Sequence, residues 1–255
     1  MSGKTVQSID RAFEILETLA LEKNGLGVTE IGNKVGLHKS TVHRILTSMG
    51  YKGYIEQDPD TGMYRLGLKF VELSSLYLNS VELKTEAQPY LRNLSAQTTQ
   101  SVHLATLVDG EAVYIDKVES YNNIRMYSAI GKRVSVHCTA VGKALLSGKS
   151  LTQIKALLEG RELMALSPNT ITNLDTLLEE ILVVGQRGWA EDDEEHEVGI
   201  RCIAAPIFDY RNRIIAAIST SGNKNIISPE RTQEISQYVM NAAKDISKRM
   251  GYTGG

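Results

Sequence analysis

The chain has 255 residues, 42% hydrophobic, 23% charged and 6% aromatic. That balance excludes a disordered, collagenous or low-complexity chain and leaves room for one large domain or two smaller ones. With 28 Lys and Arg against 30 Asp and Glu, the chain is no polycation, so any nucleic-acid binding must come from a local patch. Two cysteines, Cys138 and Cys202, cannot staple a chain of this size. No signal-like apolar region opens the sequence, and runs such as Ile214 to Ile218 are too short to cross a membrane. The expectation is a soluble, cytoplasmic protein with no membrane partner.

From Ile9, apolar residues at Ile9, Ala12, Phe13, Leu16, Leu19 and Ala20 keep the spacing of one buried helical face. Gly25-Leu26-Gly27 stops that helix. Val28, Ile31 and Val35 mark a short second one, with Glu30 in its first turn, where the helix dipole favours an acid. After Gly36 a third helix begins near Lys39, with Val42, Ile45, Leu46 and Met49 as its inward stripe. Two short helices about a tight turn predict a helix-turn-helix. Tyr54–Gln57 and Met63–Leu66, joined by Asp58-Pro59-Asp60-Thr61-Gly62, predict a β-hairpin, and so a winged helix-turn-helix.

The outward face of the third helix carries Ser40, Arg44 and Thr47, flanked by Lys39, Thr41, His43 and Ser48. Short hydroxyls and cations suit phosphates and base edges in a major groove. Residues 31–55 hold Lys34, Lys39, Arg44 and Lys52 but neither Asp nor Glu. The bland alternative is a solvated polar face in a protein-interaction module.

Three segments, Ser8–Leu16, Gly36–Leu46 and Thr61–Gly67, resemble in order and spacing the DNA-binding half of the IclR family of transcriptional regulators. The resemblance implies that Ser40, Thr41 and Arg44 read the groove and that Arg11 contacts backbone phosphate. His38 stands where that family often has proline.

Leu68 to about Asn79 is helical in pattern and reads as a linker; a further helix from about Leu83 to Gln97 is expected to break near Pro89. From Val102 the period becomes two, predicting strands on either side of Asp109-Gly110 and a third at Ile124–Tyr127. Helices follow near 140–147, 151–158 and 173–187, then strands near 200–208 and 213–221. Ser228-Pro229-Glu230 announces a last helix that buries Ile235, Val239, Ala242, Ala243, Ile246 and Met250. The fold class is therefore α+β: an N-terminal winged helix-turn-helix (1–67), a linker helix (68–82) and a C-terminal mixed α/β domain with an antiparallel sheet (83–255).

Gly142–Ser150 looks like a phosphate-binding loop, but five residues rather than four separate Gly142 from Gly148-Lys149-Ser150. His137, Cys138, His196 and Cys202 offer a metal-ligand or Cys/His nucleophile set without a standard spacing. A metal-responsive regulator, or a Cys/His enzyme with a helical docking module, stands as the alternative. The expected set includes no catalytic residue, no metal ligand and no cofactor.

Gly188–Asp209, His137–Leu146 and Ile218–Gly222 are similar to three signatures of the IclR effector domain. That resemblance implies a GAF/profilin-like effector domain and an effector site at Ala140, Val141, Asp192, Ile200, Cys202, Ser219 and Ser221. It also implies a homodimer, assembled as a dimer of dimers, on a double-stranded DNA operator. Thr139 as N-cap would free the amides of Ala140 and Val141 for an anion. A turn centred between Tyr210 and Arg211 would set Cys202 opposite Ser219 and Ile200 opposite Ser221, all on one sheet face. The expected function is a regulator, a repressor in its action, that senses a small carboxylate such as a keto acid or sugar acid. Asp192 beside a ligand carboxylate would repel it unless it is protonated or accepts a ligand hydroxyl. Arg125 and His137 are further candidates for positive charge.

Overall fold

The computed structural model describes residues 6–73, 82–120 and 128–254. The chain divides into two compact units, Met1–Ser80 and Val81–Gly255.

In the first unit, α1 (Gln7–Ala20), α2 (Val28–Val35) and α3 (Lys39–Tyr51) are followed by the hairpin β1 (Ile55–Gln57) and β2 (Tyr64–Leu66). Gly36 ends α2 in the left-handed region, at φ 67°, which needs no Cβ and lets the chain turn directly into α3. In the hairpin loop, Asp58 Oδ1 accepts from the amides of Asp60 and Thr61, at 3.0 and 2.9 Å. Ile15, Leu19, Ile31, Val42, Leu46, Ile55 and Tyr64 form this unit's core. The face predicted for α1 holds at Leu19, which is buried, but is corrected elsewhere: Ile9 and Phe13 are 51% and 58% exposed, and Ile15, outside that face, is buried. Helical periodicity finds two apolar arcs on α1, and packing against Ile31 and Leu46 selects the Ile15 arc. Residues 69–73 are helical; the rest of the expected linker, residues 74–81, lies outside the described residues.

The second unit begins with α4 (Glu82–Thr98), then β3 (Ser101–Val108), β4 (Glu111–Val118), β5 (Arg133–Ser135), α5 (Ala140–Leu146), α6 (Leu151–Leu158) and α7 (Leu174–Arg187). It ends with β6 (Ala190–Asp193), β7 (Ile200–Phe208), β8 (Ile214–Asn223) and α8 (Pro229–Arg249). Six strands form one antiparallel sheet in the order β5-β4-β3-β8-β7-β6. One face packs on α5, α6 and α7 through Ala105, Ala190, Ala204 and Ala217. The other packs on α4 and α8 through Leu104, Ile203, Ala205 and Ile218.

Several expectations need correction. Helix α4 runs unbroken through Pro89, which sits on its exposed side, where the carbonyl left without a partner can meet water. The predicted strand at Ile124–Tyr127 lies outside the described residues. β5 and β6 were not foreseen: β5 is only three residues long, and the acidic run in β6 masks the strand pattern. In α8, Ser236 and Ser247 are buried along with Ile235, Val239, Ala243 and Ile246, while Ala242 and Met250 are only partly buried.

Candidate DNA interface and effector cavity

On α3, Val42 and Leu46 are buried, while Lys39, Ser40, His43, Arg44 and Thr47 are exposed and Thr41 is half-buried. No side chain caps the start of α3 at His38, so early backbone N–H groups remain available to a phosphate. Arg11, Thr41 and Arg44 line one groove between α1 and α3. Arg11, Lys39 and Arg44 form no ion pair with an acid among the described residues. All seven residues expected at the interface therefore belong to α3 or the groove beside it.

In the second unit, the sheet register sets two polar rows on a face that is otherwise apolar. Asp192 pairs with Cys202, Cys202 with Ser221, and Ser221 with Ser101, across four strands. The next row runs Ala190, Ala204, Ser219, His103 and Lys117. This corrects the expected register: Ser221 faces Cys202, Ser219 faces Ala204, and Ile200 faces Asn223. The cause is a five-residue turn closed by the Asp209 amide on Arg213 O, with Asn212 at φ 57°, plus a bulge between Ile207 and Phe208. The slip is two residues. Side chains alternate with period two, so the same residues still share one face.

Over those rows lies a partly open cavity whose empty space, solvent at its mouth included, is about 540 Å³. Ala140, Val141, Asp192, Ile200, Cys202, Ser219 and Ser221 all line it. Tyr114, Ser128, Lys132, Thr139, His196 and Glu197 join them. Alternation along β4 could have suggested Tyr114; nothing in the sequence marks Ser128. Thr139 caps α5 by accepting from the Gly142 amide at 3.2 Å, and its hydroxyl donates to Ser135 O at 2.6 Å. The amides of Ala140 and Val141 precede the first intrahelical bond, made by Lys143 N to Thr139 O, and meet no acceptor among the described residues.

The acidic run is not a solvated loop. Arg201 pairs with Glu191 and Asp193, Lys224 with Glu194, and Lys143 with Glu195. Asp192 forms no ion pair with a cation among the described residues; its Oδ1 accepts from the amides of Glu195 and His196, at 2.8 and 3.2 Å. Burial first, and then the charge of Glu195, push its carboxyl up to about 7. Burial pushes the Cys138 thiol up to about 12 and the Cys202 thiol well above its ordinary range. Cys138 Sγ lies 3.7 Å from His196 Nδ1, but a thiol held protonated is a poor nucleophile. His137 does not line the cavity; it is bonded to Met164 O, and burial lowers its pKa. Arg125 lies outside the described residues. Among the described residues, no group of three or more His, Cys, Asp or Glu is placed to hold a metal ion, and no helix is long and apolar enough to cross a membrane.

The two units thus define a winged helix-turn-helix regulator with a second, cavity-bearing α/β unit. The family described as the IclR helix-turn-helix domain matches residues 8–59, and the bacterial transcriptional regulator IclR C-terminal family matches residues 75–248. The chain belongs to the IclR family of transcriptional regulators. It is 40% identical to the transcriptional regulator KdgR of Escherichia coli, covering 97% of this chain and 94% of that one. It is 35% identical to the Escherichia coli transcriptional repressor IclR, covering 96% and 90%. The solved IclR of Thermotoga maritima superposes with a TM-score of 0.81 at 33% identity, over 96% of this chain and 99% of that one. An IclR homologue from Microbacterium hydrocarbonoxydans, solved with 4-hydroxybenzoate, shares the fold at 21% identity, with a TM-score of 0.84 over 96% and 99%. These relatives are regulators rather than enzymes.

Proposed function

We propose that the chain represses transcription from an operator that it releases or grips according to a small carboxylate, a keto acid or a sugar acid, in its second unit. The observation that carries the acid assignment is the cavity itself. It brings two backbone amides without an acceptor among the described residues, three serine hydroxyls, a thiol and a buried carboxyl around one apolar-walled space. Amides and hydroxyls suit the oxygens of a small anion. Asp192, pushed up to about 7, is protonated in a large share of molecules near neutrality. In that form it donates a hydrogen bond to the acid instead of repelling it. The repressor of Escherichia coli and the homologue holding an aromatic acid support this reading by likeness.

On DNA, Ser40, Thr41, His43, Arg44 and Thr47 would face base edges, and Lys39 and Arg11 phosphates. One recognition helix reads too few base pairs for specificity, so the operator-bound form is a homodimer on a near-palindrome, and the complete assembly a dimer of dimers. The working division is 1–67 for DNA, 68–82 as linker and 83–255 for the effector, in a cytoplasmic protein. The acid alters DNA affinity only through unequal binding to DNA-competent and incompetent states.

A thermal-shift screen with pyruvate, glyoxylate, gluconate and 4-hydroxybenzoate tests the acid assignment. A ligand at 100 times its Kd adds about 2.7 kcal/mol to stability, a readily measured rise in Tm. An unchanged Tm with all four acids counts against a carboxylate effector.

A further inference from the structure

The bulkiest side chain fully buried in the described structure is a lysine. Lys143, on α5, is 1% exposed, and its Nζ lies 2.5 Å from Glu195 Oε1 in the β6–β7 connection. Desolvating two charges costs several kcal/mol each, and a well-packed apolar pair often holds a core equally well. What an apolar pair lacks is direction.

Glu195 is fixed from three sides. Its carboxylate meets Lys143, and its N–H donates to Asp192 Oδ1 at 2.8 Å. Its carbonyl accepts from Thr170 Oγ1 at 2.6 Å and Ser167 Oγ at 3.1 Å. Lys143 stands one helical turn from Ala140, which lines the cavity, as does Asp192 on β6. The ion pair therefore joins two walls of the cavity while neither partner lines it.

We propose that Lys143 and Glu195 are positioning residues of the effector cavity: their ion pair sets the separation between Asp192 and the wall at residues 140–141. The inference rests on the reading that this cavity takes the acid. A purely stabilising pair would be replaceable by any packing of equal volume. A positioning pair would not, because side-chain dispersion does not fix the Glu195 amide on Asp192.

The test uses the full chain, titrated calorimetrically at 10 °C with pyruvate, glyoxylate, gluconate and 4-hydroxybenzoate, with a melting curve for every variant. Lys143→Met alone lowers the Tm and weakens the bound acid tenfold or more. Lys143→Met/Glu195→Met regains a Tm near that of the unaltered protein, yet still binds the acid at least tenfold more weakly. Equal Tm and equal affinity in the double variant would overturn the inference, leaving the pair a stabilising one. If the double variant does not fold, Thr170→Val removes the shorter of the two hydroxyl bonds to the Glu195 carbonyl, at a part-buried position. It should lower the Tm modestly, because the Thr170 hydroxyl also accepts from the amides of Leu166 and Ser167, and weaken the acid about threefold at 10 °C, where the variant stays folded; unaltered affinity would again overturn the inference. Failure of the unaltered protein to bind any of the four acids removes the effector reading itself, an outcome distinct from either of these.

Discussion

Replacing Asp192 by asparagine should stabilise the second unit above neutral pH and do little in acid. The side chain is 2% exposed and has no ion-pair partner among the described residues, and burial pushes its carboxyl from an ordinary 3.8 up to about 7. Between those values the folded chain holds a proton that the unfolded chain has lost, so stability falls as pH rises through that window. About three pH units at ~1.4 kcal/mol each give a penalty of about 4 kcal/mol at pH 8. Asparagine keeps an oxygen for the amides of Glu195 and His196 and carries no charge. An imperfectly met amide donor takes back about 1 kcal/mol, leaving a gain of about 3. For a unit of this size the Tm of Asp192→Asn should exceed that of the unaltered protein by roughly 6–12 °C at pH 8. At pH 5 most of the penalty is gone, and the gain shrinks below about 1 kcal/mol. Differential scanning calorimetry from pH 5 to pH 8, without added acids, measures both. A Tm difference that is constant with pH, or a less stable asparagine variant at pH 8, would refute the assignment of a buried, proton-holding carboxyl.

Three further outcomes follow from the same geometry. Arg44→Ala should cost about 1–3 kcal/mol of operator affinity and relax preference at one base position, as read by selection from random-sequence duplexes; unchanged preference would remove Arg44 from the base-reading face. Arg11→Ala should weaken all duplexes alike and lower the salt slope of log affinity by about one, as measured by fluorescence anisotropy. A Cβ on Gly142 would lie 2.3 Å from Val136 Cα. Gly142→Ala should therefore lose about 1–3 kcal/mol, seen as a lower Tm, because the approach of α5 to residue 136 leaves no room for a methyl group.

Much of this was legible in the residues. The helix-turn-helix and hairpin come from local signals: Gly36, the Asp58–Gly62 turn and the apolar stripe of α3. Seven separated positions, from Ala140 to Ser221, converge on one cavity because period-two alternation and the cap at Thr139 are properties of sequence. What escaped depends on distant partners. The Cys202–Ser221 register depends on a bulge and a five-residue turn, which alternation cannot see. β6 hides in a run of acids whose charges are answered by Arg201, Lys224 and Lys143, remote in sequence or across the sheet. Burial of Lys143 breaks the usual rule that lysine stays in water, and only its meeting with Glu195 accounts for it.

The most direct test of a cavity that governs DNA binding compares the unaltered chain with Ser219→Ala/Ser221→Ala on one selected operator duplex. Anisotropy titrations are run with and without the acid that raises the Tm most. The account predicts equal operator affinity without acid, an acid-dependent change of fivefold or more for the unaltered chain, and little or none for the variant. An acid response of the same size in both proteins would contradict it.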